Sequence, residues 1–118
     1  AGWRGISEEI AENAVLAMRE KGACMENIIA TFGPAICDKC YEVGENVANL
    51  FTGHIHKQGK KLLLNLKSAL AERLRDAGLA SENILLTNKC TMCQRERYVS
   101  YRLNKTRKRL ISIVGNSI

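Results

Sequence analysis

Apolar residues recur at helical spacing in two stretches of the chain. The first stripe covers residues 7–21, where Ser7 and the two glutamates after it suit the start of a helix and Gly22 suits its end. The second lies in LKSALAERLRDAGL, which begins at Leu66, places leucines and alanines on one helical face and is closed by Gly78. The sequence therefore predicts two amphipathic helices.

Short apolar runs, several of them β-branched, lie between and after these helices. They are bounded by glycine, proline or polar residues, as buried strands are. Strands are predicted over 27–32, 40–43, 61–66, 83–88 and 109–114, and a short helix over 45–52. Residues 53–60 contain two glycines and no periodicity, so a loop is predicted there, and 90–102 is irregular. The alternation of helices and strands predicts an α/β fold in which helices cover a mainly β core.

Composition places this pattern in an ordinary globular chain, with 46% apolar and 25% charged residues. The 118 residues are enough for one core, so 1–118 is expected to be a single domain or part of one. No apolar run reaches the roughly 18 residues that a membrane span needs. The first residues lack the basic and apolar regions of a signal peptide, so we expect a cytoplasmic protein.

Positive charge is concentrated near the C-terminal end of the chain. The net charge is +6, and a basic cluster comprises Arg95, Arg97, Arg102, Lys105, Arg107, Lys108 and Arg109. The favoured interpretation is a solvated surface, and the alternative is a face that binds phosphate or nucleic acid. Tyr98 and Tyr101 alone do not make a stacking platform, so we do not expect a nucleic-acid partner.

The five cysteines include two CxxC pairs, which are Cys37 with Cys40 and Cys90 with Cys93. Two such pairs can complete a tetrahedral zinc site, so structural zinc is one interpretation. The odd count argues against a disulfide framework. Ordinary thiols are favoured because the chain has enough apolar sequence to form a core without a metal, and a redox CxxC is the third alternative.

Two further stretches carry candidate chemistry. In AGWRG, glycines flank Trp3 and Arg4 just before a predicted helix, where a guanidinium could hold an anion. The alternative is a tight turn with Trp3 packed in the core.

His54 and His56 would point the same way on an extended segment. No cysteine or carboxylate lies nearby in sequence, so exposed loop histidines are favoured there.

Four motifs, in order, resemble the YfiH-type, laccase-domain family, which includes the bacterial peptidoglycan editing factor. They are AGWRG, GPAICDKCYEVG, LLLNLKSALAERLRDAGL, and CTMCQRERYVSYR followed by KRLISIV. The resemblance implies an α/β fold with a layered mixed sheet flanked by helices, of which this chain is the C-terminal half. Family members are described as purine nucleoside phosphorylases and adenosine deaminases, and earlier as polyphenol oxidases. A role in editing peptidoglycan precursors is implied as well.

The resemblance also implies a zinc enzyme whose site uses two histidines and one cysteine. Two of these ligands belong to the N-terminal half and the third directly precedes AGWRG, so none is in this sequence and no zinc is expected in this chain alone. A nucleoside or phosphate-bearing substrate would need an anion pocket, for which Trp3, Arg4 and Arg102 are candidates. Pairing with the N-terminal half or with a second copy is expected.

The sequence departs from the family pattern at three places. Asn65 stands where the family tends to have Asp, Leu70 where it often has Asn, and Arg107-Lys108 where it has Thr-Gly. These changes, together with the missing ligands, lead to the alternative prediction: a divergent copy that binds a ligand or a partner without catalysis.

Overall fold

The computed structural model describes residues 2–115 of the chain and arranges their helices around two small sheets. Asn65 starts the helix with the most buried residues, because its side chain accepts a hydrogen bond from the Ser68 N–H at 3.0 Å. The elements in chain order are α1 (Trp3–Ser7), α2 (Ile10–Glu20), β1 (Ala30–Thr31), β2 (Glu42–Val43), α3 (Glu45–Ala48), β3 (Ile55–Gln58), β4 (Lys61–Leu64), α4 (Leu66–Asp76), β5 (Ile84–Leu85) and α5 (Tyr101–Asn104).

The larger sheet has the strand order β2-β4-β3 and is antiparallel throughout. Ile55 pairs with Leu64 and Gln58 with Lys61, so a two-residue turn joins β3 to β4. Gly59 has a φ of +60° in that turn, a conformation that glycine adopts readily. The loop predicted over 53–60 is therefore wrong for 55–58, because the pairing with β4 turns this stretch into a strand.

The smaller sheet consists of β1 and β5, which run parallel and pair Ala30 with Ile84 and Thr31 with Leu85. Helix α4 packs against residues of both sheets, because its buried side chains belong to two separate apolar cores. The first core contains Ile6, Tyr41, Phe51, Leu64, Leu66 and Ala69. The second contains Val15, Ile28, Ala71, Leu74, Leu79 and Ile84. The predicted α4 and its buried face are confirmed, and they tie both sheets together.

The helix predicted over 7–21 is wrong at its start. Ser7 is the last residue of α1, and its hydroxyl donates a hydrogen bond to the Arg4 carbonyl at 2.9 Å instead of capping α2. Glu9 has a φ of +64°, so the backbone breaks between the two helices. The break lets Ile6, which is only 1% exposed, enter the first core.

The strand predicted over 109–114 is also wrong in the described structure. These residues pair with none of the described strands, and Ile113 and Val114 are 93% and 94% exposed. A strand needs a neighbour that supplies backbone hydrogen bonds, and this stretch has none among residues 2–115. The other predicted strands are present but shorter, because only the paired residues of each apolar run are extended in a ladder. None of the helices between residues 2 and 115 has the length and apolar character to cross a bilayer.

Candidate functional site

Two loops bring four cysteines together. Cys37 and Cys40 lie between β1 and β2, and Cys90 and Cys93 lie in a run of turns after β5. Their four Sγ atoms lie within 4.8 Å of one another, and we call this group the cysteine cluster. Cys93 Sγ is 3.5 Å from Cys40 Sγ and 3.9 Å from Cys37 Sγ. The two CxxC pairs singled out in the sequence thus converge.

Backbone turns shape both halves of the cysteine cluster. In the first pair, the N–H groups of Cys40 and Tyr41 donate to the Cys37 carbonyl at 3.1 and 3.0 Å. In the second, the N–H groups of Met92 and Cys93 donate to Cys90 Sγ at 3.3 and 3.4 Å. The Cys37 N–H also donates to Cys90 Sγ, at 3.3 Å, and so joins the two turns. Cys90 Sγ therefore accepts three backbone N–H groups.

These contacts make Cys90 more acidic than Cys40 and Cys93. Burial opposes ionisation of Cys90, but the N–H groups of Cys93, Cys37 and Met92 outweigh it and lower its pKa to about 6. Burial and the neighbouring thiols raise the pKa of Cys40 well above its ordinary value. The hydrogen bond with Cys40 lowers the pKa of Cys93, but Cys90 and Cys37 raise it by more. The cluster thus favours negative charge at Cys90, next to three further sulfur donors.

A second group gathers around the buried side chain of Tyr41, directly after Cys40. The Arg102 Cζ lies 4.9 Å from the Tyr41 ring centroid, and its Nη1 donates to the Glu42 carbonyl at 2.6 Å. The Arg4 Cζ lies 4.7 Å from the Trp3 ring centroid, and Trp3 packs on the core that contains Tyr41. We call Trp3, Arg4, Tyr41 and Arg102 the arginine–aromatic cluster.

Electrostatics connects both arginines of this cluster to the tyrosine. Burial raises the pKa of Tyr41, and the positive charges of Arg102 and then Arg4 oppose that rise. Of the three candidates from the sequence, Arg102 lies over the Tyr41 ring, Arg4 acts on its phenol electrostatically, and Trp3 packs on the core that contains it. Both arginines are exposed to solvent. Sequence reasoning missed Tyr41. The position of Tyr41 beside Cys40 in the GPAICDKCYEVG motif was the sequence feature that could have indicated it.

In AGWRG, Trp3 packs on the core while Arg4 stays exposed to solvent, and anion binding by Arg4 stays a prediction. The backbone there is the short helix α1 and not a tight turn. A guanidinium held beside an indole by cation–π attraction keeps a restricted position. Such a group can donate two parallel hydrogen bonds to a carboxylate or phosphate.

The histidine pair is split by the fold. His54 Nδ1 is 2.7 Å from Ser68 Oγ, and His54 Nε2 bonds the Glu72 carboxylate, so the prediction of an exposed loop histidine is wrong for His54. The bond to His54 lowers the pKa of Glu72. His56 lies on β3 opposite Leu63 and is exposed, as predicted. The carboxylate comes from α4, which no local sequence pattern could show.

A cleft of about 500 Å³ opens between the cysteine cluster and the start of α4. Lys67 stands in its wall, but its Nζ donates to the carbonyls of Thr87 at 2.7 Å and Lys89 at 3.2 Å. Lys67 therefore fixes the segment that leads to Cys90. Between residues 2 and 115, the cysteine cluster is the one group of three or more histidines, cysteines or carboxylates that could share an ion. A site of two histidines and one cysteine is not formed by these residues.

The fold and these two clusters define a class: an α/β domain with two small sheets, one parallel and one antiparallel, around a buried helix and a cysteine-lined, arginine-bearing surface. Over residues 1–117 the sequence matches the family model described as multi-copper polyphenol oxidoreductase laccase. The chain belongs to this family, and the predicted YfiH-type resemblance is confirmed.

Individual relatives agree with this membership. Purine nucleoside phosphorylase YfiH from Shigella flexneri is 32% identical over 121 residues, which cover 97% of this chain and 48% of that protein. Adenosine deaminase RL5, from an unknown prokaryotic organism, is 32% identical over 111 residues, with coverages of 86% and 42%.

A solved structure extends the similarity to the fold. The crystal structure of YlmD from Geobacillus stearothermophilus matches with a TM-score of 0.82 and 26% identity, covering 89% of this chain and 43% of that one. The predicted α/β fold is thereby confirmed. The chain spans about half the length of the relatives it matches.

Proposed function

We propose that this chain forms the anion-binding half of an enzyme that acts on purine nucleosides. The observation that carries the proposal is the arginine–aromatic cluster, in which each of two exposed guanidinium groups lies over an aromatic ring, Arg4 over Trp3 and Arg102 over Tyr41. Relatives named purine nucleoside phosphorylase and adenosine deaminase support the substrate class.

The cluster suits phosphorolysis, in which phosphate attacks the ribose carbon and the purine leaves with the bonding electrons. Products are the free base and ribose 1-phosphate. Arg4 and Arg102 are proposed to hold the phosphate, because bidentate guanidinium contacts match its oxygens. Arg102 is fixed by its bond to the Glu42 carbonyl, which leaves its remaining N–H groups for the anion. The cation–π contact with the Trp3 ring restricts Arg4.

The complete enzyme is proposed to depend on zinc whose two histidines and one cysteine come from outside this chain. The described residues do not form such a site. The proposed partner is accordingly the segment or subunit that supplies those ligands. Peptidoglycan-precursor editing stays a prediction of the family resemblance.

The anion site is tested by titrating the chain with inorganic phosphate and following binding by calorimetry. We expect Arg102→Gln and Arg4→Gln each to weaken binding at least tenfold, because one charged hydrogen-bond donor contributes roughly 1.5–3 kcal/mol. Arg95→Gln removes the same charge from an exposed arginine outside the cluster and serves as the matched control. Equal weakening of phosphate binding in all three variants would mean that only the net charge of the chain matters, and it would contradict the proposal.

The reaction is tested on the protein together with the segment or subunit that supplies the zinc ligands, by offering adenosine with and without phosphate. Phosphate-dependent release of adenine supports phosphorolysis. Phosphate-independent conversion to inosine and ammonia supports deamination. Binding of adenosine without turnover, in a preparation loaded with zinc, favours the divergent non-catalytic copy.

A further inference from the structure

The cysteine cluster has no role in the anion site, yet its geometry is specific. Zinc–sulfur bonds of about 2.3 Å place the sulfurs of a regular tetrahedron about 3.8 Å apart. Cys93 Sγ is 3.5 Å from Cys40 Sγ and 3.9 Å from Cys37 Sγ, and all four sulfurs lie within 4.8 Å of one another. Bonded sulfurs would stand about 2.05 Å apart. The cluster therefore has the dimensions of thiolates that share one ion.

Backbone N–H groups donate hydrogen bonds to a sulfur of the cluster, which is a second feature of thiolate metal sites. A neutral thiol is a weak acceptor, yet Cys90 Sγ accepts N–H groups from Cys37, Met92 and Cys93 at 3.3 to 3.4 Å. Such outer hydrogen bonds orient a sulfur and stabilise its charge when it ligates a metal. One of the three donors, the Cys37 N–H, comes from the opposite CxxC pair. The two turns are thus shaped around a common centre.

The surroundings show what an ion there would accomplish. Between β5 and α5 the described chain forms turns and no regular helix or strand. Along residues 86–100 only Cys90, Thr91 and Ser100 are buried. Such a segment has little apolar burial to hold it against the loop that carries Cys37 and Cys40. A shared ion would supply this link.

We propose that this chain binds one structural Zn²⁺ through the thiolates of its cysteine cluster, Cys37, Cys40, Cys90 and Cys93. Four protein ligands complete the tetrahedron and leave no open position for a reacting molecule, so the role is structural. Tetrahedral sulfur sites select zinc or iron, whereas copper in proteins favours other geometries or fewer thiolates. This site is separate from the two-histidine, one-cysteine site of the proposed enzyme. It uses residues of this chain alone.

The test begins with the whole chain, purified with reductant and without a metal-binding tag. Elemental analysis should find one zinc per chain after dialysis. Replacement by Co²⁺ should give the strong ligand-field absorption of tetrahedral cobalt with a sulfur charge-transfer band. A mercurial that blocks thiols should release the zinc as four thiols react. None of these readouts requires enzymatic activity or a variant that folds.

Two variants then locate the ion. Cys93→Ser removes one ligand and should lower zinc retention at least tenfold in competition with a chromogenic chelator. Cys24→Ser removes the exposed free cysteine outside the cluster and should retain one zinc. A metal-free native chain in which all five thiols react freely would overturn the proposal, as would a pair of disulfides detected by alkylation and mass spectrometry. Iron in place of zinc would overturn the assignment of the metal.

Discussion

Removal of zinc from the cysteine cluster should lower the stability of the chain by an amount that the fold allows us to work out. The ion would join Cys37 to Cys90 and Cys40 to Cys93, each pair 53 residues apart. Treated as one crosslink that closes this loop, it reduces the entropy of the unfolded chain by an amount equivalent to about 4 kcal/mol at room temperature. For a domain of this size that corresponds to a melting-temperature shift of roughly 12–20 °C.

The measurement is thermal unfolding, followed by circular dichroism, with saturating zinc and with excess chelator. The Cys24→Ser background should show the full difference, because Cys24 is exposed and outside the cluster. Cys93→Ser should melt at the lower temperature and respond little to the chelator. If a chain with one bound zinc melts at the same temperature after the zinc is removed, the predicted stabilisation by a crosslink is refuted. Zinc would then occupy the cluster without holding the two loops together.

Three further predictions concern the rest of the structure. Leu64 is fully buried, so Leu64→Ala should cost about 3–5 kcal/mol in urea unfolding, and a cost below ~1 kcal/mol would contradict its place in the core. Ile113 is 93% exposed, so Ile113→Thr should change stability by less than about 0.5 kcal/mol, and a larger loss would mean that it is packed. His54→Ala should raise the pKa of Glu72, measured by NMR titration, because the bond to His54 lowers that pKa. The stabilisation from this pair is present above the unfolded-state pKa of Glu72 and is lost as the pH falls through its folded-state pKa, so wild type and variant should converge in acid.

Helix α4 shows what the sequence could predict well. Its apolar residues recur at helical spacing, Gly78 closes it, and both signals depend only on neighbours in sequence. Asn65, noted as a departure from the family pattern, caps its start. Local sequence patterns are sufficient to predict a helix whose apolar residues form one continuous buried face.

The hairpin of β3 and β4 and the break between α1 and α2 show where local patterns fail. Residues 55–58 have no apolar alternation, and they are extended because β4 pairs with them. Ser7 followed by glutamates has the composition of a helix cap, yet Ile6 is drawn into the core and the turn at Glu9 follows. In both cases a long-range contact overrides a local preference.

The site was predictable in its residue types and not in its arrangement. The CxxC spacing indicated which four cysteines could act together. Only the fold shows that Cys40 Sγ lies 3.5 Å from Cys93 Sγ. Likewise Trp3, Arg4 and Arg102 were candidates, but the packing of Arg102 over the Tyr41 ring became visible only in three dimensions. The bond from His54 to Glu72 joins a loop to a helix, and no spacing rule anticipates it.

The two clusters share their chain segments, which connects the metal proposal to the anion proposal. Tyr41 directly follows Cys40, and its N–H donates to the Cys37 carbonyl at 3.0 Å. On the other side, the Ser100 hydroxyl donates to Met92 Sδ at 3.6 Å, and Arg102 follows two residues later. An ion that fixes the two CxxC turns therefore fixes the tyrosine and the arginine that meet across them. Arg102 then needs only its bond to the Glu42 carbonyl to hold its orientation, which is how a structural metal can organise an anion site without touching the anion.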